Sequence, residues 1–280
     1  MPKVIRGLTE KEYNAAPGVR RSDLWKIGES PEKYKWAAEH PLEPTPALIF
    51  GAATHKYILE TKRFFDEYAV APSDIDRRTK AGKEMWEMFC NMNENKTIIS
   101  QSDLDIMQGM HMAINSCLMA QTLLWGKGET ETAFFWKDAD TGEQCKVKLD
   151  RLIRLKKRYV VVDYKTAASA KTDVFVHDMV KYGYTLQAAM YTEAVMKCKR
   201  LKYRPDFVFV VQEKKEPYSV NVIYVAADSS VMVYGQDQFR EMIGTLHQCK
   251  EMDTWPGYLG VFEETNEAYL PGYISLAEDE

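Results

Sequence analysis

Long apolar runs are missing from this 280-residue sequence. No stretch approaches the ~20 apolar residues that a membrane-spanning helix needs. The opening "MPKVIRGLTEKEY" lacks the apolar centre of a secretory signal. The expectation is a cytoplasmic chain with no membrane partner. Cysteine is scarce and scattered, at Cys90, Cys117, Cys145, Cys198 and Cys249. The number is odd and no C-x-x-C pair occurs, which argues against a disulfide framework, a zinc site or an iron–sulfur site and leaves core thiols. The sequon Asn95-Lys96-Thr97 therefore carries no weight. Gly/Ser-rich or Pro-rich linkers, low-complexity runs and repeats are absent too, so residues 1–280 are read as one domain. There is no surplus of positive charge: 37 Lys and Arg face 41 Asp and Glu, for a net charge of −4. A nucleic-acid partner would have to be met by a local basic groove.

What the sequence does have is pattern. Up to about residue 125 it reads as mainly helical. Ser22 is a candidate N-cap for a helix carrying Leu24, Trp25 and Ile27, and Ser30-Pro31 opens another. "PALIFGAATHKYILETKRFFDEY" spaces Ile49, Ala52, Ala53 and Tyr57 helically and carries His55. "TKAGKEMWEMFCNM" and "SDLDIMQGMHMAINSCLMAQTLL" follow. The latter is capped at Ser102, with a core stripe of Met107, Met110, Ile114 and Leu118. After Gly128 the period changes. "TETAFFWKD", "EQCKVKLDRLIRL" and "YVVVDYKT" form an antiparallel meander with turns at Asp140–Gly142 and Lys156–Arg158. A helix over "YGYTLQAAMYTEAVMK", two strands over "DFVFVVQEK" and "YSVNVIYVA", and a closing helix complete the order. That order predicts an α+β fold around one mixed sheet flanked by helices. Residues 1–125 form the helical part, 126–255 the sheet and its helices, and 256–280 a C-terminal tail.

The chemistry concentrates at the end of "YVVVDYKT". Residues two apart on a strand share a face, so Asp163 and Lys165 point the same way. Asp150 ends the neighbouring strand and is brought close to Asp163 by the hairpin. Two adjacent carboxylates repel unless a cation offsets them. A divalent metal with hard oxygen ligands fits that arrangement, and Glu131 can supply a third carboxylate. A lysine alongside can orient water or stabilise a transition state. The competing reading is an ordinary surface salt bridge worth about 0–1 kcal/mol, which describes most Asp-x-Lys pairs at strand ends. The ordered set Glu131, Asp150, Asp163-x-Lys165 weighs against it, as do Gln187 and Tyr191, four residues apart on one helix face.

These ordered acids, "DYK" and the Q-x-x-x-Y resemble the RecB-like branch of the PD-(D/E)xK nuclease superfamily. "APGVRRSDLWKIGESPEKYKW", "GAATHKYILE", "RRTKAGKEMWEMF", "ETAFFWKDADTGEQCKVKLDRL", "VVDYKTAASA" and "YGYTLQAAMYTEA" follow in order like the nuclease domain of the RecE (exonuclease VIII) family. The likeness runs from about Tyr13 to Trp255. It implies a 5′-to-3′ exonuclease on double-stranded DNA ends, dependent on Mg²⁺ or Mn²⁺. Such an enzyme leaves 3′ overhangs for a single-strand annealing partner, in a homo-oligomeric ring. By the same resemblance Asp150, Asp163, Glu131 and His55 would hold metal and Lys165 would be the catalytic lysine. Gln187 and Tyr191 would orient the site. Leu149 stands where the family has proline, and Arg20-x-Ser22 where it has S-x-S. DNA contacts are expected from Arg77, Arg78, Lys80 and Lys83, with Gly82 allowing close backbone approach, and from Lys146, Lys148 and Arg151. Lys156 to Arg158 read as solubilising. A structure-specific endonuclease, another metal-dependent phosphodiesterase and a non-cutting DNA-binding relative remain alternatives.

Overall fold

A computed structural model describes residues 2–40, 43–156 and 158–259. The tail expected over 256–280 therefore lies, beyond residue 259, outside the described residues, as does Lys157 in the expected hairpin turn. The architecture is α+β. A six-stranded mixed sheet has the order β1-β4-β5-β6-β7-β8. Its strands are β1 (Lys3–Ile5), β4 (Gly128–Lys137), β5 (Gln144–Leu155), β6 (Arg158–Ala167), β7 (Asp206–Glu213) and β8 (Val220–Val225). Within this sheet, among the described residues, only β6 and β7 pair in parallel. A parallel joint needs a crossover, and here it is helical, through α9 (Thr172–Lys181) and α10 (Tyr184–Lys199). A separate two-stranded parallel sheet joins β2 (Tyr68–Val70) to β3 (Thr97–Ile99).

Both faces of the main sheet are covered. On one, Phe134, Val147, Leu149, Val161 and Phe209 pack under α2 (Arg21–Glu29), α10 and α11 (Ser230–Met252). Burial on this scale contributes roughly 25 cal/mol per Å² of apolar surface. On the other, Val160, Val162 and Tyr164 pack with residues of α4 (Pro46–Leu59), α7 (Gln101–Asn115) and α8 (Leu118–Trp125). The remaining helices are α1 (Glu10–Ala15), α3 (Pro31–Glu39), α5 (Phe64–Glu67), which follows a 3₁₀ turn at Thr61–Arg63, and α6 (Lys80–Met92).

Several local expectations shift. The cap of α2 is Arg20, whose backbone N–H donates to the Asp23 carboxylate, and not Ser22. The cap of α7 is Ser100, which forms a capping box with Asp103, and not Ser102. The long helix over 102–124 breaks at Ser116–Cys117, so Met107, Met110 and Ile114 are buried while Leu118 is 78% exposed. On α4, Gly51 faces open space and Ala53 packs with Leu104 and Met107 of α7. Helix α9, the edge strand β1 and the β2/β3 pair carry too short or too irregular a pattern to read from sequence.

Candidate active site

The site lies where two strands part. β5 and β6 are paired from Leu155–Arg158 up to Arg151–Val162, and the ladder stops there. On the other side, β4 and β5 pair at Thr130–Arg151 and at Thr132–Leu149, skipping Glu131 and Asp150. Glu131 has a φ of 45°, a left-handed conformation that a glutamate adopts at a cost of order 1 kcal/mol or more. The kink changes which residues face which side. Leu149 belongs to the core under α10, whereas Arg151 reaches α8 on the opposite face. Local disruption of this kind aims side chains that a regular ladder would bury.

Asp150 repairs the fork. The Tyr164 N–H, which has lost its ladder partner, donates to Asp150 Oδ2 at 2.8 Å. Asp163 is 2% exposed and its Oδ1 accepts from Gln187 Nε2 at 2.5 Å, tying the strand end to α10. Lys165 Nζ stands 2.6 Å from Asp163 Oδ2 and 4.8 Å from the centre of the Tyr184 ring. That Lys165 contact is an ion pair without hydrogen-bond angles, and Asp163 Oδ2 is buried and accepts no hydrogen bond among the described residues, like Gln187 Oε1 beside it. His55 projects from α4, with Nδ1 3.5 Å from Asp150 Oδ2 and its ring edge-on to Tyr164. Glu131 pairs with Lys148 Nζ at 2.9 Å, and Lys148 also holds Glu10 at 2.6 Å. Tyr191 lies one turn beyond Gln187, packed against the core 6.4 Å from the Phe207 ring, and its hydroxyl makes no hydrogen bond among the described residues.

The ionisation of these groups follows from crowding. Burial, then repulsion from Asp163, pushes the Asp150 carboxyl up to about 7. Burial and the neighbouring Asp150 raise Glu131 as well. Burial and the Lys165 ammonium lower His55, which keeps its imidazole neutral at pH 7 with a lone pair to give. Burial raises the Tyr191 hydroxyl well above its ordinary value. The two ammonium groups, Lys165 and Lys148, are the cations that the carboxylates use in this arrangement. Among the described residues no three His, Cys, Asp or Glu side chains converge as a ready-made ion cage. The donor chemistry still fits a hard divalent cation: the carboxylates of Asp150, Asp163 and Glu131, the neutral His55 imidazole, and a buried carboxylate oxygen with no hydrogen bond to give up.

The expected basic groove divides. Arg78 and Lys80 are 91% and 93% exposed, Arg78 held by Asp76 at 2.9 Å and Lys80 4.0 Å from Glu84. Arg77 stacks 4.4 Å over Trp86, and Lys83 is exposed on α6. Gly82 does allow a close approach, but to its own loop: an added Cβ would stand 2.0 Å from the Asp76 carbonyl oxygen. Arg151 is corrected outright. It is 5% exposed and donates to Leu123 O, Gly126 O and Thr130 Oγ1, so it caps the end of α8 instead of lining a groove. Lys146 is likewise buried and donates to the carbonyls of Tyr13, Asn14 and Ala16, at the end of α1. A cation is favourable at a helix C-terminus, where free carbonyls gather. Lys148 borders the acids, but between Glu10 and Glu131. Arg158, read as solubilising, reaches Asp206 at 3.4 Å. Glu10 and Tyr184 are site neighbours that sequence reasoning missed; no local pattern ties them to residues more than a hundred or about twenty positions away.

Comparison with known proteins agrees with this fold. Residues 21–267 match the family described as "PDDEXK-like domain of unknown function (DUF3799)". A crystal structure from Eubacterium rectale described as "Putative exonuclease" superposes with a TM-score of 0.58 at 14% identity, covering 96% of each chain. The structure of the protein SSO0001 covers 85% of this chain and 78% of its own at 12% identity, with a TM-score of 0.37. No curated protein sequence matches the chain. The first superposition shows the same fold, and because the family model spans most of the sequence, the chain belongs to the family of PDDEXK-like domains of unknown function (DUF3799).

Proposed function

We propose that this protein is a metal-dependent exonuclease of the RecE type. It would shorten the 5′-ended strand of linear duplex DNA and leave a 3′ overhang for an annealing partner. The observation that carries this reading is the meeting of Asp150, Asp163, Lys165 and Gln187 at the β5–β6 fork, with His55 arriving from a separate helix. An arrangement that crowds carboxylates at a cost to folding, with a lysine on the same strand end, is the arrangement phosphodiester hydrolysis uses. Family membership supports the nuclease, and the superposed Eubacterium rectale protein is described as a "Putative exonuclease".

Asp150, Asp163, Glu131 and His55 would hold Mg²⁺ or Mn²⁺. When bound, the ion supplies charge neutralisation at the phosphate and an acidified water. The chain's own part is positional. Gln187 fixes the Asp163 carboxylate through Oδ1 and leaves Oδ2 directed into the site. Lys165, steered by Asp163 and the Tyr184 ring, presents an ammonium where negative charge grows on the phosphate. Asp150 keeps the fork open by replacing a ladder carbonyl. Among the described residues no helix is long and apolar enough to cross a membrane, which is compatible with a cytoplasmic DNA substrate.

The test is a digest of duplex labelled at one 5′ end, compared with covalently closed circles, in Mg²⁺ and in EDTA. Early loss of label from linear DNA, with intact circles and no cutting in EDTA, is the expected result. Circles cut as fast as linear DNA would leave the endonuclease reading standing. Full activity in EDTA would remove the metal.

A further inference from the structure

A cavity of about 750 Å³ opens at the end of the sheet opposite the acids, more than twice the volume of the 320 Å³ hollow beside His55 and Asp150. It is framed by the end of β5, the starts of β6 and β7, and the loops after α10 and β8. Three of its side chains are tyrosines, Tyr159, Tyr203 and Tyr224. Two of these, Tyr203 at 70% and Tyr224 at 58%, face solvent. Tyr224 also touches the Asp206 carboxylate with its hydroxyl, and exposed apolar surface rimmed by polar groups in a concavity marks a ligand-binding groove.

Of the four cations that line the cavity, Arg158 and Arg204 pair with Asp206 and Glu193. Arg154 and Lys202 have no carboxylate partner among the described residues. Each lies near a tyrosine ring instead, Arg154 at 5.7 Å from Tyr159 and Lys202 at 5.2 Å from Tyr203. Asp206 is 5% exposed and braces the frame: it accepts from the Ala227 N–H at 3.1 Å and holds Arg158 at 3.4 Å. Asp228 is the second acid of the lining. The frame is therefore prebuilt, with aromatic faces and unpaired positive charge side by side. Aromatic platforms next to a basic track are how proteins hold single-stranded nucleic acid, with bases stacked and phosphates paired.

We infer that this cavity binds a nucleoside phosphate unit of a single strand, with a base on Tyr203 or Tyr224 and the phosphate on Arg154 and Lys202. The inference extends the nuclease reading by giving the protein a second hold on nucleic acid, away from the reacting centre. Cleavage is not needed for it.

The test is fluorescence anisotropy with a labelled oligothymidylate of about twelve nucleotides and the full chain in EDTA, where cutting is blocked. Arg154→Glu with Lys202→Glu, and separately Tyr203→Ala with Tyr224→Ala, should each weaken binding about tenfold or more, as expected for lost phosphate contacts or lost stacking. All four side chains lie on the surface of the cavity, and thermal melts would verify that the variants are folded. Lys35→Glu, exposed on α3 and lining neither the cavity nor the hollow beside the acids, should leave the affinity within about twofold. Unchanged affinity in both cavity pairs overturns the inference. Loss on charge reversal alone also overturns it and points to an acidic polymer, including an acidic peptide, held without stacking. Competition by thymidine monophosphate separates the two sources of this chemistry: displacement means that a free nucleotide suffices, and failure means that a strand is required. If the cavity variants lose the oligonucleotide while wild type cuts no DNA in Mg²⁺, the nuclease reading fails and this one stands. If wild type cuts and the variants bind normally, the reverse holds.

Discussion

With its carboxyl pushed up to about 7, Asp150 is partly protonated at neutral pH. The folded chain then binds more protons than the unfolded one between roughly pH 4 and 7, so metal-free stability falls as pH rises through that window. The melting temperature in EDTA should be higher at pH 5 than at pH 8. Added Mg²⁺ should restore stability at pH 8, because the ion takes over the proton's role; a flat pH profile in EDTA would count against the crowded-acid description. The lysine separates from the acids by a different readout. Lys165→Ala should lower the cleavage rate by about 10²–10⁴ while Mn²⁺ binding stays measurable by calorimetry. Asp163→Ala should lose both. Gln187→Leu removes only the positioning bond to Asp163, and a loss of about 10–100-fold is expected, in rate or in metal affinity, with the fold retained. Asp-x-Lys and the downstream glutamine were legible because they are spaced by the strand and helix periods. The roles of Lys146, Lys148 and Arg151 were not. Their partners, Tyr13, Glu10 and Leu123, sit on other elements, and the kink at Glu131 and Asp150 reverses the faces that alternation assigns.

At the scale of elements, the crossover α9–α10 determines the site, because it carries Gln187 and Tyr184 back over the end of β6. Helix α10 is buried along most of its length, from Thr185 to Val195 with Tyr191 less so, and is clamped from outside by α11. At that clamp Gly235 lets the backbones meet. A Cβ there would stand 2.1 Å from the Thr185 carbonyl oxygen. Gly235→Ala should therefore cost about 1–3 kcal/mol by overpacking, read from denaturant midpoints, and should disturb activity through α10 although it touches no reacting group. The sequence displays β4 to β8, α10 and α11 clearly, since their runs are long and their periods clean. It conceals β1, β2 and β3, which are only three residues each, and the break at Ser116–Cys117, where helical spacing continues across two helices. The expected caps lie two residues late at α2 and α7: at α7 Ser100 and Ser102 compete and Ser100 has Asp103 as its capping-box partner, whereas at α2 the cap is Arg20, a residue with no cap preference, joined to Asp23.

Across the whole molecule, net negative charge means that any grip on DNA is local and sensitive to salt. If the loop before α6 contacts duplex, replacing Arg78 and Lys80 together should reduce the slope of log affinity against log salt by about two, at ~0.9 per phosphate, and weaken all sequences alike. An unchanged slope would exclude that loop from the interface. A single strand of the sheet, β6, runs from Tyr159 in the distal cavity to Lys165 at the acids. At ~3.3 Å per residue that is about 20 Å, or about six nucleotides at a duplex-like rise of ~3.4 Å. The strand is thus a ruler inside the protein. An oligonucleotide shorter than about six units could touch the cutting end or the holding end but not both, and a plot of affinity against substrate length should show a step there, which the cavity variants would erase.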